Sequence, residues 1–167
     1  MDLSERQIDL NAQNPLELIE MLVSSREWPF ERSGENELNI NVSGAWCEYS
    51  VSLTWHEEIE SLHMAAAFDS RVPEEKRQEV QILTALINEQ LMLGHFDLWS
   101  DDGVILFRHT LMLQGGAHAT EDQCDALLQL GIESCERYYP AFQFVVWAGK
   151  TAKEAISASM FETAGNA

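Results

Sequence analysis

The sequence predicts an α+β domain: an antiparallel β-sheet packed on one face by helices, in the order α-β-β-β-α-β-β-α. Three observations lead there. Over residues 73–93, Val80, Leu83, Ile87 and Leu91 recur at helical spacing, with Ile82 and Leu86 widening the stripe. After Gly94 the apolar period changes from helical to the two-residue repeat of a strand. Before Pro73, three runs alternate apolar with polar residues, and their parities agree when they are folded against one another.

The 73–93 helix is the expected centre of the fold. Pro73 suits a first helical turn, where its missing N–H would have had no partner. Glu74, Glu75 and Glu79 lie near the positive end of the helix dipole. Gly94 can adopt the left-handed conformation that stops a helix. A hairpin then pairs Phe96 with Phe107 and Leu98 with Ile105 about a turn at Ser100-Asp101-Asp102-Gly103. In this register Trp99, Val104 and Leu106 point away from the core.

Upstream, residues 1–13 read as a polar arm. Asn14 is a good N-cap and Pro15 suits the first helical position, so a helix is expected to run from there to about Arg26. Residues 29–33 have the makings of a short edge strand. Leu38, Ile40 and Val42 then alternate with Asn39, Asn41 and Ser43. A two-residue turn at Ser43-Gly44 would set Val42 opposite Ala45 and Ile40 opposite Cys47. A loop at 56–61 would set Trp55 opposite Leu62 and Leu53 opposite Met64. All these pairings put apolar side chains on one face, leaving the other wet. Trp46 falls on the wet side.

Downstream, Gly115-Gly116 breaks the chain, and Thr120 with Gln123 forms a capping box. Cys124, Leu127, Leu128, Gly131, Cys135 and Tyr138 share one stripe, and Gly131 within it allows a close approach to the sheet. Pro140 is expected to kink or restart that helix. Thr151 with Glu154 caps a last short helix, and 161–167 reads as a tail. The single domain is expected to span 14–160.

The formal net charge is -18, from 28 Asp and Glu against 10 Lys and Arg. Such an excess repels phosphate backbones, which argues against nucleic acid. No apolar run is long enough to cross a bilayer, and the start of the chain lacks the basic-then-apolar order of a secretory signal. Three scattered cysteines, Cys47, Cys124 and Cys135, do not suggest a disulfide framework. A reducing cytoplasm is the expected compartment.

Chemistry-bearing motifs are absent. His109, His118 and Cys124 form no zinc pattern, because no CxxC, HExxH or paired histidine accompanies them. The three cysteines fall on apolar stripes, where a thiol behaves as a small hydrophobe. His56-Glu57-Glu58 and Asp101-Asp102 sit in turns, where charged groups stay solvated. There is no GxSxG, P-loop or GxGxxG. The expectation is therefore no catalytic residue, no metal and no cofactor. Trp46, Trp99, Val104 and Leu106 are the candidate partner-binding residues. Either other elements cover them, or they form an exposed apolar patch that marks an interface.

Two segments carry a family resemblance: LINEQLMLGHFDLWSDDGVILFRH and CERYYPAFQFVVWAGKTAKEAI. Their most specific parts are Gly94-His95-Phe96, Phe107-Arg108 and YYPAFQF at 138–144. The chain resembles the YbjN-domain family, small bacterial proteins described as sensory-transduction regulators. The resemblance implies a fold like that of the type III secretion chaperones and brings no catalytic residues with it. It implies a non-catalytic cytoplasmic regulator or chaperone-like adaptor that binds a protein partner or itself as a homodimer. The alternative reading is a small-molecule sensor or enzyme with a pocket between sheet and helices, lined by Trp55, Phe68, Phe96 and Phe107.

Overall fold

The computed structural model describes residues 13–165, and side chains up to Met160. The 1–13 arm, except for Gln13, lies outside this range, as do the side chains of the 161–167 tail. The elements are α1 Leu16–Ser25, β1 Phe30–Arg32, β2 Glu37–Ser43, β3 Glu48–His56, β4 Ser61–Arg71, α2 Arg77–Asn88, β5 His95–Trp99, β6 Val104–Met112, α3 Glu121–Val146 and α4 Ala152–Gly165. One antiparallel sheet has the order β1-β2-β3-β4-β6-β5. The 29–33 stretch does form its edge strand.

The alternation of apolar residues decides which face is dry. Leu38, Ile40 and Val42 of β2, Tyr49, Val51, Leu53 and Trp55 of β3, and Leu62, Met64, Ala66 and Phe68 of β4 are all buried. Trp55 pairs with Leu62, Leu53 with Met64, Phe96 with Phe107 and Leu98 with Ile105, the expected registers. The aromatic residues proposed to line a pocket instead fill the core. Phe96 lies 5.2 Å from Phe107 and 6.3 Å from Phe68, centroid to centroid.

The β2–β3 connection differs from the expected two-residue turn. Val42 pairs with Tyr49 and Ile40 with Val51, so Gly44–Cys47 form a four-residue loop. The Gly44 N–H donates to the Cys47 carbonyl at 2.9 Å, and the Ala45 N–H donates to the Glu136 carboxylate at 2.6 Å. That second bond ties the loop to α3 and holds it open. The shift is an even number of residues, so the dry face keeps its apolar side chains.

The helix layer is also distributed differently. The 73–93 helix is shorter than its stripe: Glu74–Lys76 form one 3-10 turn, and α2 ends at Asn88. Val80, Leu83 and Ile87 are buried as expected, but α2 packs against the edge strand β5 and α4. It is α3 that crosses β4 and β6, and α1 that sits on β2. Gly131 makes the crossing close: a Cβ there would lie 2.7 Å from Met64 Sδ. Pro140 neither ends nor restarts α3, which continues through it to Val146.

Both capping boxes form. Thr120 Oγ1 accepts from the Gln123 N–H at 3.1 Å, and Gln123 Oε1 accepts from the Thr120 N–H at 2.9 Å. Thr151 and Glu154 exchange the same pair of bonds at 3.3 Å. Gln13 is buried, and its Nε2 donates to the carbonyls of Leu113 and Ala117, both at 3.2 Å.

Candidate functional site

The face of the sheet turned away from the helices forms a groove. Its floor is built from small side chains at alternate positions: Asn39 and Asn41 on β2, Ser50 and Ser52 on β3, Ala65 and Ala67 on β4. Larger ones stand at one side: Leu106 and Val104 on β6 and Trp99 on β5. The registers Asn41↔Ser50, Ser50↔Ala67 and Ala67↔Leu106 place one such row straight across four strands. Small residues beside large ones make the hollow, which encloses about 350 Å³.

Trp99, Val104 and Leu106 do come together here, but they are not uniformly exposed. Trp99 is 52% exposed and pairs with Val104, which is half-buried. Leu106 is only 2% exposed although it lies outside the main core cluster. Trp46 does not join them. The longer β2–β3 loop carries it to the helix side, where its ring stacks on Tyr139 at 6.3 Å and 14°. It is still 54% exposed, but on the helix side of the sheet rather than beside Trp99.

A polar cluster adjoins the groove. Arg108, opposite Ala65, donates from Nε to His63 Nε2 at 3.1 Å and from Nη1 to Asp97 Oδ2 at 3.1 Å. His95 Nε2 lies 3.3 Å from the same Asp97 oxygen, and the His56 ring is 6.4 Å from that of His63. Accepting from Arg108 requires His63 Nε2 to carry no proton. Burial holds the His63 pKa below its ordinary value, and the charges of Arg108, His56 and His95 press it the same way. The outward parity of β4 and β6, once their register is known, would have found this cluster; no motif marks it.

The cysteines and His109 show no activated group. Burial pushes the Cys124 thiol up to about 11 and raises Cys135 and Cys47 as well. Burial lowers the His109 pKa. Raised thiols are protonated near neutrality and poor nucleophiles. Among the described residues, no group of three or more His, Cys, Asp or Glu is placed to hold a metal ion. No described helix is long and apolar enough to cross a membrane. What the site offers is a groove of hydrogen-bonding and apolar side chains suited to binding.

The sheet-and-helix arrangement is that of the type III secretion chaperone-like α+β proteins. A family model described as "Putative bacterial sensory transduction regulator" matches residues 15–144, and the chain belongs to that family, YbjN. Among solved structures it is similar to YbjN from E. coli, titled "a putative transcription regulator", at 10% identity and TM-score 0.53, covering 72% of this chain and 85% of that one. It is also similar to a chain of the ExsC–ExsE complex, at 16% identity and TM-score 0.54, covering 83% of this chain and 94% of that one. At these identities the likeness concerns the fold. No curated protein sequence matches the chain.

Proposed function

We propose that this chain is a non-catalytic, chaperone-like regulator that binds a protein partner and works in the cytoplasm as a homodimer. The observation that carries the reading is the groove on the uncovered sheet face, where Trp99 stands half-exposed beside Val104 and Leu106. An exposed aromatic at the edge of a buried aliphatic side chain is the composition of a binding hot spot. The family's description as a regulator supports the reading. So does a structural neighbour that comes from a two-protein complex. Trp46, stacked on Tyr139, contributes to the loop rather than to this contact.

Affinity capture from cells of the source organism tests it, with the tagged chain and its Trp99→Asp variant compared. The expected result is a specific protein recovered by the first and lost by the second, with unchanged circular dichroism. The same protein recovered equally by both would remove the groove from the function. Light scattering over a range of concentrations reads the dimer. A small-molecule sensor is the second reading, favoured by a groove volume of ligand size.

A further inference from the structure

The polar cluster and the outer groove share one face of the sheet. Arg108 sits opposite Ala65, which lines the groove, and opposite His95 on β5. Asp97 sits opposite Leu106, another lining residue. Arg108 therefore stands at the rim of a hollow walled by Trp99, Val104 and Leu106 and floored in part by Ala65 and Ala67. Of the residues that line it, Asp102 alone is charged, in the turn beyond Trp99 and Val104. The hollow is thus polarised along its length, with a guanidinium at one end, a carboxylate at the other and no charge between them.

Two acceptors hold Arg108. Its Nε donates to His63 Nε2 and its Nη1 to Asp97 Oδ2, both at 3.1 Å. Nε and Nη2 together form a fork that fits a carboxylate with two parallel bonds. His63 occupies half of that fork. It can do so only while Nε2 carries no proton. A doubly protonated ring has no lone pair to offer, and it repels the guanidinium. The fork then opens, and the imidazolium adds a donor beside it. A self-satisfied pair becomes two cations in need of one acceptor.

The surroundings leave that need unmet. His56 on β3 lies 6.4 Å away ring to ring, and the charge of His95 on β5 bears on His63 as well. Thr54 and Thr110 flank His63 in its row, with Glu37 one strand further out beyond Thr54. Asp97 is already engaged by Arg108 Nη1 and lies 3.3 Å from His95 Nε2.

We propose that the outer groove binds a small amphipathic carboxylic acid as its carboxylate, and that protonation of His63 opens the site. The carboxylate lies on the Arg108 fork beside the His63 imidazolium. The apolar body runs over Ala65 and Ala67 towards Leu106 and Trp99. The reverse orientation sets like charges together at Asp102. Strand rise gives the length: from midway between His63 and Ala65 to Ala67 is about 10 Å. A medium-chain or aryl-alkyl acid spans that distance, and a hollow of about 350 Å³ is at the small end of ligand sites. The net charge of -18 opposes a multiply charged ligand more than a single carboxylate. The inference rests on the groove as a ligand site, the second reading above, and adds the ligand class and its dependence on protons. A bound acid competes with any protein partner that uses Trp99.

The probe is octanoate, compared with octanamide and octylamine, titrated into the isotopically labelled full chain at about pH 7.5 and about pH 5.5. NMR reads the His63 ring, the Arg108 Nε–H and the Trp99 indole N–H. Octanoate is expected to shift all three, to raise the pH at which His63 titrates, and to bind more than about tenfold tighter at the lower pH, as uptake of about one proton requires. His63→Gln, whose amide oxygen can still accept from Arg108, keeps the weak binding and loses the pH dependence. Arg108→Lys, which lacks the fork, binds weakly at both values. Melting temperatures close to wild type at the higher pH show that both variants are folded.

Four results would overturn the inference. Octanamide bound as tightly as octanoate keeps the groove as a ligand site and removes the polar cluster from it. Octylamine bound in preference assigns the site to cations at Asp97 and Asp102. Octanoate bound equally at both pH values, or with the same pH dependence by His63→Gln, removes the proton switch. No shift at His63 and Trp99 with octanoate at about millimolar concentration and the lower pH removes the site. Capture by wild type against Trp99→Asp judges the protein-binding reading on its own.

Discussion

The side chain of Asn88 grips both backbone polar groups of Phe96: Oδ1 accepts from the Phe96 N–H at 2.8 Å, and Nδ2 donates to the Phe96 carbonyl at 3.0 Å. Phe96 lies opposite Phe107, a pairing in which its own N–H and C=O point to the free edge of β5. Asn88 thus takes the place of a neighbouring strand and fastens the end of α2 to the sheet. Removing it leaves two partly buried groups unpaired, which costs about 1–3 kcal/mol for each such group. Asn88→Ala is expected to lower the midpoint of urea denaturation and to speed exchange of the Phe96 amide. Asn88→Asp, which can still accept from the N–H, is expected to cost less. Equal stability for all three chains would show that the clamp contributes nothing.

Gly94 and Gly115 separate two reasons for glycine. Both have positive φ, +68° and +83°. At Gly115 a Cβ would meet nothing within 4 Å, whereas at Gly94 it would enter the Phe107 ring. Gly115→Ala should therefore cost only the left-handed backbone term, about 1–2 kcal/mol. Gly94→Ala should cost that plus an overpacking term of about 1–3 kcal/mol. Thermal or denaturant melts of the two variants give the comparison. An equal loss would mean that the β5 start relaxes around the added methyl.

The parity of the strands was readable because one buried face fixes it. Trp55 with Leu62 and Phe96 with Phe107 follow from alternation alone. The length of the β2–β3 loop was not readable, because a four-residue shift leaves the parity unchanged. The bond that selects it joins Ala45 to Glu136, far along the chain. The same error put Trp46, exposed as expected, on the wrong side of the sheet. The end of α2 was missed because apolar spacing continues through Leu91, while Asn88 has a better use on Phe96 than in a longer helix. In the outer groove, Trp99, Val104 and Leu106 were legible from hairpin register. The floor of Asn39, Asn41, Ser50 and Ser52 looked like an ordinary wet face. Only stacking of the rows shows that small side chains leave a hollow there.

The thiols should report the packing directly. Cys124 and Cys135 are buried and Cys47 is half-buried, all with pKa values raised chiefly by burial. At mildly alkaline pH, a chromogenic disulfide reagent should label Cys47 first and more slowly than a free thiol. Cys124 and Cys135 should react only in denaturant. Early labelling of Cys135, identified by peptide mapping, would contradict its place beneath the sheet, where its Sγ approaches the Ala66 carbonyl at 3.8 Å.

Acid should destabilise the chain through two histidines. Burial first, and then Arg108, His56 and His95, lower the His63 pKa. Burial first, and then His95, lower that of His109. The groups facing His63 are His56 on β3, Arg108 on β6 and His95 on β5; Asp97 reaches it only through Arg108. A base whose folded pKa is lowered binds fewer protons folded than unfolded below its ordinary value. Its contribution is intact above about pH 6.5, where both states are neutral, and is lost as pH falls through the folded pKa. Protonating His63 also breaks the bond it accepts from Arg108 and sets two cations face to face. Melting temperature is therefore expected to fall as pH drops from 7 towards 5. His63→Gln, whose amide oxygen can still accept from Arg108, should show a shallower fall over the same interval. A fall of equal steepness in the variant would assign the acid sensitivity to other groups and leave His63 a bystander on the outer face.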